Sequence, residues 1–351
     1  MGCSPLVFVL SIFLCRSTRA FVQLVRAVPN TSTPNPFLSR PTTKTSTIVA
    51  SATRKMESSS KASSEENVGT KDVVVFSSPF LRNNEGKQGP PTRSALIVLN
   101  YPIPSNSPVL DHLWKTSHTR IAADGGANRL YGHSKELIPD RIRGDLDSLD
   151  PSVRAYYESK GVSVEQDFCQ DTNDLDKALQ VLTARSEESG DSSSCTAVDR
   201  VAIYGAFGGR FDQEMASFAA LYKWAPAFRG QLYLYSDETC AFLVPSEKDC
   251  EIRLPFTDAC NLEGGDGESN NNNGVGQDCG EGPTCGLVPL GCRCESVVTS
   301  GLKWDLDGSM PLEFGGLVST SNRVMKPTVT VMTSHPLVFT AEIVSKKEEA
   351  K

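Results

Sequence analysis

Between Ser94 and Trp224, short apolar runs alternate with helical stretches, and that alternation most constrains the fold. The run Ser94-Ala95-Leu96-Ile97-Val98-Leu99-Asn100 has no polar face, as expected of a strand covered on both sides. A helix from Pro108 to about Lys115 leads to a strand at Thr119–Ala123. Further strands read at Arg141–Arg143, Val162–Glu165 and Arg200–Tyr204, with helices at Pro151–Ser159 and Gln213–Trp224. In the last helix Met215, Phe218, Ala219 and Tyr222 share a face. Strands joined through helices require right-handed crossovers and a parallel sheet, so their C-terminal ends line one edge, where open α/β sheets bind ligands.

The segments after these strands are acidic and glycine-rich. Asp124-Gly125-Gly126-Ala127-Asn128 lies at a strand-to-helix turn, where glycines let the backbone approach a phosphate and the helix start supplies donors, although a plain tight turn has the same composition. Asp145 and Asp147, in Arg143-Gly144-Asp145-Leu146-Asp147-Ser148, would point the same way on an extended backbone and could converge on one hard cation, magnesium above all. A solvated turn is the plain alternative. In Gln170-Asp171-Thr172-Asn173-Asp174, Asn173 is placed to cap a helix with Asp176 at its third position. Capping leaves Gln170, Asp171 and Asp174 unexplained. Gly208-Gly209-Arg210-Phe211-Asp212-Gln213 offers an arginine for two-pronged phosphate binding and an aspartate to cap the helix or support a metal.

Beyond Gly230 the pattern becomes short strands without helices, as in an antiparallel sandwich or jelly roll. The expected organisation is therefore a doubly wound parallel-sheet α/β domain over 73–229 and a β-sandwich over 230–346, interrupted at 261–284 by an Asn- and Gly-rich disordered insertion. Residues 1–20 read as a signal-like leader whose apolar run is too short for a permanent membrane span. Residues 21–55 carry no acidic side chain and resemble a transit peptide, and 57–72 read as a linker. The pair suggests a plastid-type organellar leader, with secretion or a cytosolic product starting at Met56 as the alternatives.

Composition excludes several functions. A net charge of −7 without a basic stripe argues against nucleic-acid binding. The 11 cysteines show no ligand-pair spacing, since Cys292-Arg293-Cys294 lacks a partner pair, and the presence of only 4 histidines argues against a histidine-rich metal site. No Gly-x-Ser-x-Gly elbow or Gly-x-Gly-x-x-Gly turn is present for a serine hydrolase or a dinucleotide oxidoreductase.

Together with Gly301-Leu302-Lys303-Trp304 and Leu317-Val318-Ser319-Thr320-Ser321-Asn322, these acidic segments resemble the thiamine pyrophosphokinase family, in the family's order, from about Ala95 to Ile343. The resemblance implies transfer of a diphosphoryl group from ATP to thiamine, giving thiamine diphosphate and AMP. It also implies a magnesium requirement and a homodimer that binds thiamine between its α/β and sandwich domains. Carried over, Asp145, Asp147 and Asp174 would hold the metal, and Arg210 and Asp212 would serve the phosphates. Asp124, Gly125, Gly126, Asn128, Gln170 and Asn173 would line the nucleotide side, Trp304 would stack on thiamine, and Ser319 and Ser321 would line the vitamin pocket. Asn173 departs from the usual Thr or Ser, and Cys169 from a frequent acid. A transferase for another small alcohol, or a sensor without turnover, would share the same features.

Overall fold

The computed structural model describes residues 73–80, 93–183, 198–228, 231–246, 248–255 and 279–345. The leader and most of the 261–284 insertion lie outside them. In chain order the elements are β1 (Val73–Ser77), β2 (Ser94–Val98), α1 (Pro108–Thr116), β3 (Thr119–Ala123), α2 (Gly126–His133), β4 (Arg141–Gly144) and α3 (Pro151–Ser159). Next come β5 (Ser163–Gln166), α4 (Asp174–Thr183), β6 (Arg200–Tyr204), α5 (Phe211–Trp224), β7 (Leu232–Tyr235), β8 (Thr239–Val244) and β9 (Asp249–Arg253). The chain closes with β10 (Cys279–Val288), β11 (Val297–Ser300), β12 (Ser319–Arg323), β13 (Thr328–Thr333) and β14 (Leu337–Ser345).

The expected parallel sheet forms with neighbours in the order β5-β4-β3-β2-β6-β7. From β2 the chain winds outward through β3, β4 and β5, then returns to place β6 on the other side of β2. The winding direction therefore reverses between β2 and β6, which leaves a crevice beyond their C-terminal ends.

The sandwich forms as well, but it is not a separate layer pair. The sheet continues past β7 through antiparallel β8, β14, β10 and β12 to ten strands, and a four-stranded sheet, β1-β9-β13-β11, packs on that continuation. Phe76 of β1 stacks on Phe242 of β8 at 4.8 Å between ring centres, and Phe242 meets Phe339 of β14 at 5.3 Å. Position 230 thus falls just before the last parallel strand, and β1 pairs with β9 in the sandwich rather than with the parallel strands. The 261–284 insertion ends sooner than its composition suggests: β10 begins at Cys279, because pairing with β14 overrides a Gly- and Thr-containing sequence that reads as loop. Among the described residues no helix is long and apolar enough to cross a membrane.

One buried acid ties the layers together. Glu281 of β10 is 1% exposed and accepts hydrogen bonds from Ser78 Oγ, just after β1, and from the Tyr235 hydroxyl at 2.7 Å. Burial pushes its carboxyl up from the usual range, against the lowering effect of those two donors. A carboxyl whose pKa rises on folding binds more protons in the native state, so its contribution to stability declines as pH climbs from its unfolded value of about 4.3 through the folded one. Glu281→Gln is expected to flatten that decline. Urea midpoints of variant and wild type between about pH 5 and pH 8 check it, the variant showing the smaller fall.

Candidate active site

A cavity of about 650 Å³ occupies the crevice, walled by Leu99 to Pro102 after β2 and by Gly205, Ala206 and Gly208 to Arg210 after β6. Its floor is carboxylate. Asp124 directly follows β3, with a left-handed backbone (φ 42°), and is 2% exposed. Its Oδ2 accepts from the Ser148 amide at 3.2 Å, while Oδ1 is buried with no hydrogen-bond partner among the described residues. Burial, reinforced by Asp174, Asp145 and Asp147, raises its pKa to about 6.

Carboxylate oxygens of Asp124, Asp145 and Asp174 lie within 4.8 Å of one another. Each arrives from a different place: Asp124 after β3, Asp145 after β4, and Asp174 at the start of α4. Gly144 permits the approach, since a Cβ there would fall 2.7 Å from Asp124 Cβ. Asn173 caps α4 as its position suggested, its Oδ1 accepting from the Asp176 amide at 2.7 Å. Asp176 turns its own carboxylate toward α5, to Trp224 Nε1 at 2.6 Å and Lys223 Nζ at 2.9 Å. The Asp174 carboxyl is raised by burial and by Asp145, and lowered by Lys177.

Asp145 and Asp147 do not converge by alternation, because Leu146 between them is left-handed (φ 64°) rather than extended. Asp147 instead stands beside the group, its Oδ1 accepting from Ser148 Oγ at 3.0 Å and its amide donating to Asp145 Oδ1 at 3.3 Å. Asn128, expected on the nucleotide side, fastens this loop: its Nδ2 donates to Ser148 O at 2.7 Å and its Oδ1 accepts from the Asp150 amide at 3.1 Å. Gly125 and Gly126 let α2 start against β2, where a Cβ would come within 2.3 Å of Asn100 Nδ2 or 2.2 Å of Val98 O, respectively. Gln170 is exposed and does not line the cavity, whereas Thr172 does, with its buried Oγ1 unpartnered among the described residues.

Arg210 stands at the cavity rim and pairs with Asp212, its Nε 3.1 Å from Asp212 Oδ1, both side chains mostly exposed. Asp212 belongs to the first turn of α5, which begins at Phe211, and an acid there complements the helix dipole. The glycine loop folds onto Tyr101: at Gly208 (φ 87°) a Cβ would lie 2.3 Å from the Tyr101 hydroxyl. The Gly208 amide donates to the Glu214 carboxylate. Three contributors are not evident from the sequence motifs. Tyr101 and Glu214 carry no sequence signal, but Lys177 sits one helical turn after Asp174, a spacing that does point to it.

The vitamin-side candidates lie elsewhere. Trp304 is 53% exposed and, like Ser319 and Ser321, does not line the cavity. Its backbone is rigidly held, the amide donating to Asn322 Oδ1 at 3.2 Å and the carbonyl accepting from Asn322 Nδ2 at 2.9 Å. Asp305 pins the preceding turn through the Gly301 and Leu302 amides at 3.2 and 3.0 Å. Ser321 has a left-handed backbone (φ 56°) on β12, the edge strand.

Residues 110–233 match the family model "Thiamin pyrophosphokinase, catalytic domain", and 274–338 match "Thiamin pyrophosphokinase, vitamin B1 binding domain". The chain is 32% identical over 292 residues to "Thiamine pyrophosphokinase 1" of Oryza sativa subsp. japonica, covering 77% of this chain and 98% of that protein. The chain belongs to the thiamine pyrophosphokinase family. "Thiamine pyrophosphokinase 1" of Arabidopsis thaliana is 34% identical over 290 residues, 78% of this chain and 94% of that one. The structure titled "Thiamin pyrophosphokinase from Candida albicans" superposes with a TM-score of 0.55 at 26% identity, covering 73% of this chain and 95% of that chain. The family's catalytic-domain match ends inside β7, the last parallel strand, and its vitamin B1 match contains Trp304, Ser319 and Ser321.

Proposed function

We propose that the chain is an ATP:thiamine diphosphotransferase, and that the crevice between β2 and β6 is where the transfer occurs. The hydroxyethyl oxygen of thiamine bonds to the β-phosphorus of ATP, the bond from that phosphorus to the oxygen bridging the α-phosphate breaks, and AMP leaves; the hydroxyl proton passes to solvent. The observation that carries this reading is the unpartnered buried oxygen of Asp124 inside a group of three carboxylates at the winding reversal. An anionic cluster would repel a triphosphate unless a cation accompanied it.

Hard carboxylate oxygens this close fit Mg²⁺, which Asp124, Asp145 and Asp174 would hold with Asp147 beside them. The ion would supply charge neutralisation on the transferred group. The remaining work belongs to the chain. Arg210, exposed and free to exchange Asp212 for a phosphate, offers a two-pronged donor at the rim. The glycine loop, braced by Tyr101, brings backbone amides along the phosphates. Alignment of hydroxyl and phosphorus then accounts for most of the rate, as in other phosphoryl transfers.

Thiamine is a cation, and the exposed Trp304 ring, carried on a backbone that Asn322 holds on both sides, suits it. Because that ring does not line the cavity of its own chain, we place it over the cavity of a second copy, which makes the enzyme a homodimer. Trp304→Ala is expected to raise KM for thiamine by about tenfold or more with KM for ATP unchanged, the loss of one cation–π and stacking contact. Steady-state kinetics with each substrate varied in turn check it. The composition of residues 1–55 supports an organellar address, which localisation of a fusion with and without those residues tests.

Incubating a protein that retains β1 with ATP, thiamine and Mg²⁺ tests the assignment. Thiamine diphosphate should form and its formation should stop on adding chelator. A folded, thiamine-binding protein that makes none would favour a sensor.

A further inference from the structure

Lys177 is a cation lining the cavity that phosphate transfer as described leaves without a task. It lies 1% exposed on the inner face of α4, one turn after Asp174, and its Nζ stands 3.5 Å from Asp174 Oδ1 and 3.5 Å from Asp145 Oδ2. Charge-assisted N–H···O bonds close to about 2.7–2.9 Å, so this ammonium is shared between two carboxylates and committed to neither. Lysine used purely as a fastener looks different in the same helix pair. Lys223 closes to 2.9 Å on Asp176, whose other oxygen takes Trp224 Nε1 at 2.6 Å, and neither partner of Asp176 lines the cavity. Lys177 does line it. An ammonium has three donors, and two carboxylates leave one to spare.

The charges point the same way. With Asp124, Asp145 and Asp174 ionised, Lys177 brings the group from three negative charges to two, which one divalent ion neutralises. We propose that Lys177 is the resident cation of the transfer site: it holds Asp145 and Asp174 together before the metal and nucleotide arrive, and afterwards serves as a fixed donor to the phosphate oxygens. This rests on the metal–phosphate reading of the cavity. It assigns Lys177 two opposing effects, since a positive charge beside the carboxylates weakens their hold on a divalent ion, while the same charge favours the anionic nucleotide and the charge developing during transfer.

The test measures Mn²⁺ binding by electron paramagnetic resonance without nucleotide or thiamine, alongside turnover, in Lys177→Met, Lys177→Gln and Lys177→Arg. Met and Gln should bind Mn²⁺ at least tenfold more tightly than wild type while turnover falls about a hundredfold, the scale of losing one preorganised donor. Arg, which keeps the charge, should stay within a few-fold of wild type in Mn²⁺ affinity. Either neutral variant suffices if the other fails to fold. A lysine that merely fastens α4 to the β4 loop predicts weaker or unchanged Mn²⁺ binding in both neutral variants, and that result overturns the proposal while leaving the metal site intact. Wild-type protein that binds no Mn²⁺ would overturn both the proposal and the metal reading on which it rests.

Discussion

Asp174→Asn is expected to lower turnover at saturating ATP and thiamine by about a thousandfold, with the folded state as stable as wild type or more so. The two halves of that expectation have separate causes. Asp174 belongs to the three-carboxylate group, and on the proposed reading a neutral amide in place of one anionic oxygen would remove charge that a bound metal and the transferred phosphates would require. Folding has no such need of it. The Asp174 carboxyl is held above its usual range by burial and by Asp145, which means its ionised form is disfavoured in the native protein. Asparagine relieves that repulsion, leaves the Asn173 cap untouched, and still leaves Lys177 paired with Asp145. Turnover and a urea midpoint measured on one preparation check it. A midpoint that falls along with activity would mean that Asp174 is structural.

Gly126→Ala is expected to act on the fold itself, destabilising it by about 3 kcal/mol or more. The added Cβ would lie 2.2 Å from the carbonyl oxygen of Val98 and 3.1 Å from its carbon, and both are backbone atoms of a central strand. No side chain can swing aside. The first turn of α2 would have to lift off the end of β2, carrying Asp124 away from Asp145 and Asp174. Against a typical total stability of roughly 5–15 kcal/mol, that is a large share. Gly132, in the same helix, has nothing within 4 Å of where a Cβ would stand, so Gly132→Ala should instead stabilise by about 0.5–1 kcal/mol. Denaturant melts of the two variants side by side separate close backbone approach from helix propensity.

The parallel strands were legible because β2 and β6 are buried on both faces and therefore continuously apolar, and because their connections contain helices long enough to read. The C-terminal ends of those strands then located the acidic edge. What could not be read was how three loops close on one point. Leu146 adopts a left-handed backbone that no local rule demands of leucine, so the pairing of Asp145 with Asp147 by alternation gave way to a grouping of Asp145 with Asp124 and Asp174. Asn128 carries the same side chain whether it meets a nucleotide or pins the Ser148 loop, and only the fold shows the second. The extent of β10 was hidden because pairing with β14, not the intrinsic preference of Cys279 to Thr284, makes that segment a strand. Likewise, nothing in the chain between Ser94 and Trp224 announces that its sheet continues into the sandwich, since that continuity runs through the β7–β8 hairpin, which lies beyond that stretch, and the long-range pairing of β8 with β14.

If this crevice moves two phosphoryl groups at once, the nucleotide product reveals it most directly. Protein retaining β1 is given ATP, thiamine and Mg²⁺, and the nucleotides and thiamine esters are separated and quantified over time. AMP and thiamine diphosphate rising in equal amounts, with both suppressed by chelator, is the predicted result. ADP rising with thiamine monophosphate would contradict it, because attack would then have occurred at the terminal phosphorus.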